Sequence, residues 1–320
     1  MKNRILVTGC AGFIGSHLVE KLLSDGFHVI GIDNFDPYYD RSIKEKNLLI
    51  ASLHESFDFF EVDFTNLSKL ITLPEFDVVV HLGAKAGVRP SIENPAAYIE
   101  TNIIGLQNIL KLMEIRGKNR LVFASSSSVY GNNEKIPFSE NDNVDNPISP
   151  YAFTKKSGEL LNHYYHHHLG FDIINLRFFT VFGERQRPDL AIHKFVKMAL
   201  SNVPITIYGD GSTSRDYTYV LDTVSGISKA INYLENNSNV YEIINIGNKK
   251  PLELRKLVEI IYQELGISPN LTHLPMQPGD VERTFADTEK AKKIIGFEAK
   301  TDFRTGIQNF IKWYKSTINS

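Results

Sequence analysis

Thr8-Gly9-Cys10-Ala11-Gly12-Phe13-Ile14-Gly15-Ser16-His17 is the stretch whose reading decides the fold. It follows a short apolar run, Ile5-Leu6-Val7, and opens a segment of helical spacing from Phe13 to Ser24. Glycines at such a junction permit a tight turn and close backbone approach, so a pyrophosphate can rest on free N–H groups at the helix start. A second apolar run, Val29-Ile30-Gly31-Ile32, ends at Asp33, eighteen residues after Gly15. An acidic side chain there accepts bonds from a ribose diol and repels a 2′-phosphate. With Asn34-Phe35 next and no adjacent arginine, the pattern predicts NAD over NADP. Asp63, after a third strand, falls where an adenine contact is expected.

Outward from this loop, short apolar runs alternate with helix-period segments. Phe59-Phe60-Glu61-Val62, Val78-Val79-Val80, Leu121-Val122-Phe123 and Ile173-Ile174-Asn175-Leu176 read as further strands. Leu67 to Leu73, Ala96 to Arg116 and Tyr151 to Leu169 read as further helices, the last helped by Ser149 at the cap and Pro150 in the first turn. Strands alternating with crossovers predict an α/β fold, a Rossmann-type doubly wound parallel sheet. Beyond Arg177 the rhythm is irregular. Gly183, Pro188, Pro204, Gly209 and Gly211 punctuate two helix-like pieces, Ile192 to Ser201 and Leu252 to Leu265, and a short strand, Ile205-Thr206-Ile207-Tyr208. The expected division is a dinucleotide domain of residues 1–180 with about 219–247, and a smaller α/β domain of 181–218 with 248–320.

Composition bounds the function classes. The 320 residues are 42% apolar and 22% charged, ordinary for a globular protein with a well-buried core. A formal charge of −2 and no dense basic stripe offer nothing to nucleic acid. No apolar run is long enough to span a membrane, and the start moves straight into a strand, so a secretory signal is not expected. One cysteine, Cys10, excludes an intramolecular disulfide and fits a reducing cytoplasm. His166-His167-His168 reads as an exposed helix end, and no His/Cys grouping has metal-ligand spacing.

Ser149-Pro150-Tyr151-Ala152-Phe153-Thr154-Lys155 places a phenol and an ammonium one helical turn apart on one face. A cation there, aided by a positive nicotinamide, favours the phenolate and lowers the tyrosine pKa toward neutrality. That is what alcohol–ketone chemistry needs from a general acid–base.

The glycines are spaced three and three, and Ser125-Ser126-Ser127-Ser128-Val129-Tyr130-Gly131 precedes the Tyr-x-x-x-Lys pattern. With His81-Leu82-Gly83-Ala84 and Arg215-Asp216-Tyr217-Thr218-Tyr219-Val220, the chain resembles, over nearly its whole length, the extended short-chain dehydrogenase/reductase family, specifically its NAD-dependent nucleotide-sugar epimerases. Related 4,6-dehydratases usually carry Thr-Asp-Glu after the fifth strand, and related decarboxylases a glutamate; Ser126-Ser127-Ser128 offers no acid for elimination. Asp33 to Asp40, Ala86-Gly87-Val88-Arg89, Arg177 to Gly183, Gln186-Arg187-Pro188-Asp189, and Pro278-Gly279-Asp280-Val281 followed by Ala286-Asp287-Thr288 are similar to UDP-glucuronate 4-epimerases in particular. Lys85 departs from that pattern, which more often has glutamine there.

The resemblance implies a catalytic trio of Tyr151, Lys155 and Ser126. It implies an NAD site of Gly9, Gly12, Phe13, Ile14, Gly15, Asp33, Asn34, Asp63, Phe64, Leu82, Ala84, Lys85, Asn102, Ser125, Tyr151, Lys155 and Phe178. For the UDP-sugar it implies Arg89, Ser126, Ser127, Ser128, Tyr151, Phe179, Thr180, Arg185, Arg187, Lys194, Tyr208, Arg215 and Arg283. Ser127, Ser128 and Thr180 are the hydroxyls expected beside a uronate carboxylate, and Arg187, Arg215 and Arg283 are expected at the phosphates. A homodimer is implied through the helices Ala96–Arg116 and Tyr151–Leu169, with Ile99, Ile103, Leu106 and Leu110 as an apolar stripe. The alternatives are a 4-epimerase of UDP-glucose or UDP-N-acetylglucosamine, and a non-catalytic NAD-binding sensor.

Overall fold

The computed structural model describes residues 3–275 and 283–318. Its first six strands are β1 (Arg4–Thr8), β2 (His28–Asp33), β3 (Phe57–Glu61), β4 (Val78–His81), β5 (Arg120–Ser126) and β6 (Asp172–Phe178). The chain then makes β7 (Thr180–Phe182), β8 (Ile205–Tyr208) and β9 (Ser214–Tyr219), returns with β10 (Tyr241–Ile246), and adds β11 (Pro251–Glu253) and β12 (Leu271–Leu274). One seven-stranded sheet runs β10-β6-β5-β4-β1-β2-β3, every pair parallel. The other strands form two small sheets, β11-β9-β7 and β12-β8. This is the doubly wound arrangement expected from the alternating pattern. Strand order reverses between β1 and β4, and the crevice outside such a switch point is where open α/β sheets bind ligands.

The pleat sorts the core. Ile5 and Val7 face one layer with Leu18, Leu22, Ile227 and Ile231, from the helices Phe13–Ser24 and Val220–Asn236. Leu6, between them, faces the opposite layer with Leu106, Leu110 and Tyr165. Both faces of the sheet are thereby covered, which is why its strands read as continuous apolar runs rather than alternating ones.

Several elements differ from the sequence expectation. The segment Ala96–Arg116 is two helices, Pro95–Ile99 and Gly105–Ile115, joined by a π-helical turn, Glu100–Ile104. Its apolar stripe is split as well: Leu106 and Leu110 are fully buried in the chain's own core, whereas Ile99 is exposed. The helix after β3 stops at Leu70 rather than Leu73. Arg41–Leu48, capped by Asp40 accepting from Ser42 N at 2.8 Å, is a helix where a connection was expected. Val220–Asn236 and Phe303–Ile318 are also absent from the sequence reading.

Candidate active site

The glycine loop is pressed between two neighbours. Gly9, at φ +69°, is in the left-handed region, and its N–H donates to Ile32 O at 2.8 Å. A Cβ on Gly15 would lie 2.0 Å from the Gly9 carbonyl oxygen, and one on Gly9 would lie 2.8 Å from Gly83 Cα. Gly83 is held there by its N–H, which donates to Thr8 Oγ1 at 2.9 Å, and Thr8 also bonds His81 Nδ1 at 2.8 Å. Burial pushes His81 down to about 3, so this support is neutral. Gly12 begins the helix Phe13–Ser24, and no side chain caps its first turn. A backbone cradle of this kind fits an anionic pyrophosphate.

Asp33 closes β2 beside it. Its Oδ2 accepts from Ala11 N at 3.2 Å and its Oδ1 from Phe35 N at 2.9 Å. Burial pushes this carboxyl up, while Lys44, whose Nζ lies 3.9 Å from Oδ1, pulls it back. Lys44 is a cation the sequence reading did not place here, because it arrives from the unexpected helix Arg41–Leu48. Asn34 donates to Asp63 Oδ2 at 2.8 Å, so Asp63 stands behind Asn34 rather than in the cavity wall. Lys85 Nζ reaches Asp36 Oδ2 at 2.7 Å. Its backbone N–H donates to Asn102 Oδ1 at 2.8 Å and its carbonyl accepts from Asn102 Nδ2 at 3.0 Å. Asn102, in the π-helical turn, therefore shapes the loop after β4 without lining the cavity.

The trio comes together at the end of β5. The helix Pro150–Leu169 starts at Ser149, whose Oγ accepts from Ala152 N at 3.1 Å, and stops at Gly170 in the left-handed region. Lys155 Nζ donates to the Ala124 carbonyl at 2.7 Å, and burial pushes its pKa down to about 7. Burial raises the Tyr151 phenol; the Ser126 side chain and then the Arg187 charge pull it back. Lys155 Nζ sits 6.0 Å from the Tyr151 ring centroid, with one of its three hydrogens given to Ala124. Ser126 Oγ accepts from Ser128 N at 3.2 Å and from Ser128 Oγ at 2.8 Å. Both its lone pairs are engaged, which leaves its hydrogen free to be donated toward the phenol or a reacting oxygen.

Tyr151, Lys155, Ser126, Ser125 and the glycine loop line one cavity of about 590 Å³. Phe13, Ile14, Asp33, Asn34, Phe64, Leu82, Ala84, Lys85, Phe178, Phe179, Thr180 and Arg187 also contribute to it. Arg187 holds Asp189 through Nε at 2.9 Å and Nη2 at 2.7 Å and lies over the Tyr38 ring. Arg185 turns elsewhere, to Glu20 Oε1 at 2.6 Å. Ser127 and Ser128 back the wall from the 3-10 turn Ser127–Tyr130. Arg89, Lys194, Tyr208, Arg215 and Arg283 lie beyond the cavity; Tyr208 ends β8, Arg215 is in β9, and Arg283 bridges to Ser214. The motif Pro278 to Val281 is outside the described residues.

Tyr38, Tyr39 and Tyr98 join the wall without having been singled out as site residues. The paired tyrosines of the segment Asp33–Asp40 carried the signal; Tyr98, edge-on to Tyr151 at 6.3 Å between ring centroids, had none. Among the described residues, no group of three or more His, Cys, Asp and Glu is arranged to hold a metal ion.

Comparison with known proteins agrees with this geometry. The family model described as GDP-mannose 4,6 dehydratase matches residues 6–310. A UDP-glucuronate 4-epimerase of Thermodesulfobacterium geofontis is 41% identical over 98% of this chain and 96% of its own length. An uncharacterized protein of Methanocaldococcus jannaschii is 46% identical, with the same two coverages. The crystal structure of UDP-glucuronic acid 4-epimerase from Bacillus cereus, in complex with UDP-glucuronic acid and NAD, superposes with a TM-score of 0.92 at 36% identity, covering 98% of this chain and 99% of that one. The chain belongs to the GDP-mannose 4,6 dehydratase family, within the extended short-chain dehydrogenases/reductases.

Proposed function

We propose that the protein is a NAD-dependent UDP-glucuronate 4-epimerase, interconverting UDP-glucuronate and UDP-galacturonate through a transient 4-keto sugar. The observation that carries this reading is the convergence of Tyr151, Lys155 and a hydrogen-donating Ser126 on the cavity that the glycine cradle opens into. The residues fit the dinucleotide: Gly9, Gly12 and Gly15 let the loop close tightly on itself and on Gly83 along the cavity, and Asp33 retains lone pairs for ribose hydroxyls. Held there, NAD would supply the acceptor, and then the donor, of a hydride at C4.

Tyr151 takes the proton from the sugar 4-hydroxyl and gives it back, while Ser126 donates to the oxygen that gains charge. To take that proton Tyr151 must be a phenolate, and because burial raises the phenol this needs positive charge nearby; Arg187 supplies part of it. Lys155 anchors the end of β5 through Ala124. Oxidation at C4 creates a β-keto acid, which loses carbon dioxide if the carboxylate stands perpendicular to the ketone. Thr180 in the wall, with Ser127 and Ser128 behind Ser126, is our candidate set for holding it in plane. Arg187, Arg215 and Arg283 are our candidates for the diphosphate.

The division of labour follows: residues 1–180 with about 219–247 carry the dinucleotide, and 181–218 with 248–320 the nucleotide sugar. Ile99, Ile104, Phe153, Leu160 and Tyr164 are exposed on the segments 96–116 and 151–169 that the resemblance assigns to a homodimer, and we assign that face to a second copy. Among the described residues no helix is long and apolar enough to cross a membrane, and the lone, buried Cys10 supports a place in the cytoplasm. Incubation with UDP-glucuronate, UDP-glucose and UDP-N-acetylglucosamine, with products resolved by chromatography, tests the function. Turnover of the neutral sugars only would overturn the uronate assignment.

A further inference from the structure

We infer that Glu159 is a positioning residue for the dinucleotide end of the site, acting through the Ser125 hydroxyl. Glu159 stands four residues beyond Lys155 and eight beyond Tyr151, on the same helix face. Consecutive residues at the end of β5 each meet one of these side chains. Ser126 lies against Tyr151, the Ala124 carbonyl accepts from Lys155, and Ser125 Oγ donates to Glu159 Oε1 at 2.6 Å. Arg177, opposite Ser125 in the β5–β6 register, holds the same carboxylate through Nε and Nη2, each at 2.8 Å. Both members of the pair are about 1% exposed. Arg177 Nη1 also donates to Tyr130 OH at 2.9 Å, and Tyr130 donates onward to Asn245 Oδ1 at 2.7 Å.

Direction is forced on this chain of bonds. A carboxylate only accepts and a guanidinium only donates, so the single hydrogen of Ser125 goes to Glu159. Ser125 is among the residues lining the cavity, and its hydroxyl then has only lone pairs to offer a ligand there, matched to a ligand N–H or O–H and mismatched to a carbonyl or phosphate oxygen. The inference rests on the dinucleotide reading, in which a carboxamide N–H or a ribose hydroxyl supplies that hydrogen.

Removing Glu159 alone would strand a buried cation, so Glu159→Gln can fail by unfolding. Glu159→Leu/Arg177→Met removes both charges at similar volume and is expected to melt near the wild type. Its NAD affinity, measured by calorimetry on the full chain, is expected to fall about tenfold, because Ser125 regains a free hydrogen. Ser125→Ala, which leaves the ion pair intact, is expected to lose a similar factor, and combining it with the pair replacement should add little. Wild-type NAD affinity in either variant, or a full sum of the two losses, overturns the inference. If the unaltered chain binds no NAD, the functional reading falls and this inference falls with it.

Discussion

The two walls of the cavity are built differently. One consists of the β5 end and the twenty-residue helix Pro150–Leu169, where Lys155 and Glu159 are buried and bonded to β5 atoms and Glu159 also holds Arg177 of β6. The other consists of connecting segments that carry Tyr38, Arg187 and Asp189, with Phe35 and Arg185 in the left-handed region at φ 50° and 61°. The first wall presents a fixed acid–base geometry; the second presents long side chains whose pairings are with one another. Such a division matches a reaction in which a keto sugar turns over between two hydride transfers while the proton-handling groups stay still.

The comparison breaks if the first wall tolerates change. Tyr151→Phe should lower turnover about a thousandfold while nucleotide affinity stays within a few-fold, by steady-state kinetics and calorimetry. Equal losses in both would mean that Tyr151 shapes the cavity rather than moving a proton. Gly15→Val, which sets a side chain against the Gly9 carbonyl, should weaken NAD binding about a hundredfold. On the second wall, Arg187→Ala should act mainly on KM, raising it about tenfold with a smaller change in kcat. A kcat loss as large as that of Tyr151→Phe would make its charge on the phenol, rather than substrate binding, the main role of Arg187.

The smallest expected effect concerns pH, and it compares two histidines, His81 stacked on Phe123 of β5 and His17 bonded to the segment that carries Arg185 and Arg187. His81 is pushed down to about 3 by burial, and His17, which bonds the Glu184 carbonyl at 2.9 Å, to about 4. Both take up protons near pH 6.5 once unfolded but remain neutral in the native chain. Between about pH 6.5 and 4 the unfolded state therefore binds more protons, and stability falls as pH falls. Urea unfolding at pH 7 and pH 5 should show a loss on the order of 1–2 kcal/mol per histidine. His17→Gln should reduce the loss; an unchanged loss would take His17 out of the acid response.

Much of the first wall was legible because its signals are local. Glycines with positive φ, a capping serine before Pro150, and Tyr and Lys four apart each act within a few residues of themselves. The second wall depends on chain that meets only in three dimensions. Lys44 reaches Asp33 from a helix whose sequence, Arg41-Ser42-Ile43-Lys44-Glu45-Lys46-Asn47-Leu48, shows little apolar periodicity. Arg185 and Arg187, two apart, read alike, yet one pairs with Glu20 and the other lines the cavity. The helix Val220–Asn236 carries Val220, Val224, Ile227, Ile231 and Leu234 at helical spacing, but the irregular stretch around it masks that signal. Glu159, eight residues after Tyr151, was equally visible as a spacing; what gives it meaning is Arg177, which arrives on a neighbouring strand.

The placement of β10 beside β6 bears on how the chain matures during synthesis. A nascent polypeptide that has emerged only as far as Phe178 presents β6 as a bare edge, although all its residues are buried in the finished molecule. Everything from Phe179 to Val240 must leave the ribosome before Tyr241–Ile246 can cover that edge. Premature termination anywhere in this interval would leave an open template for strand addition, a ready seed for aggregation.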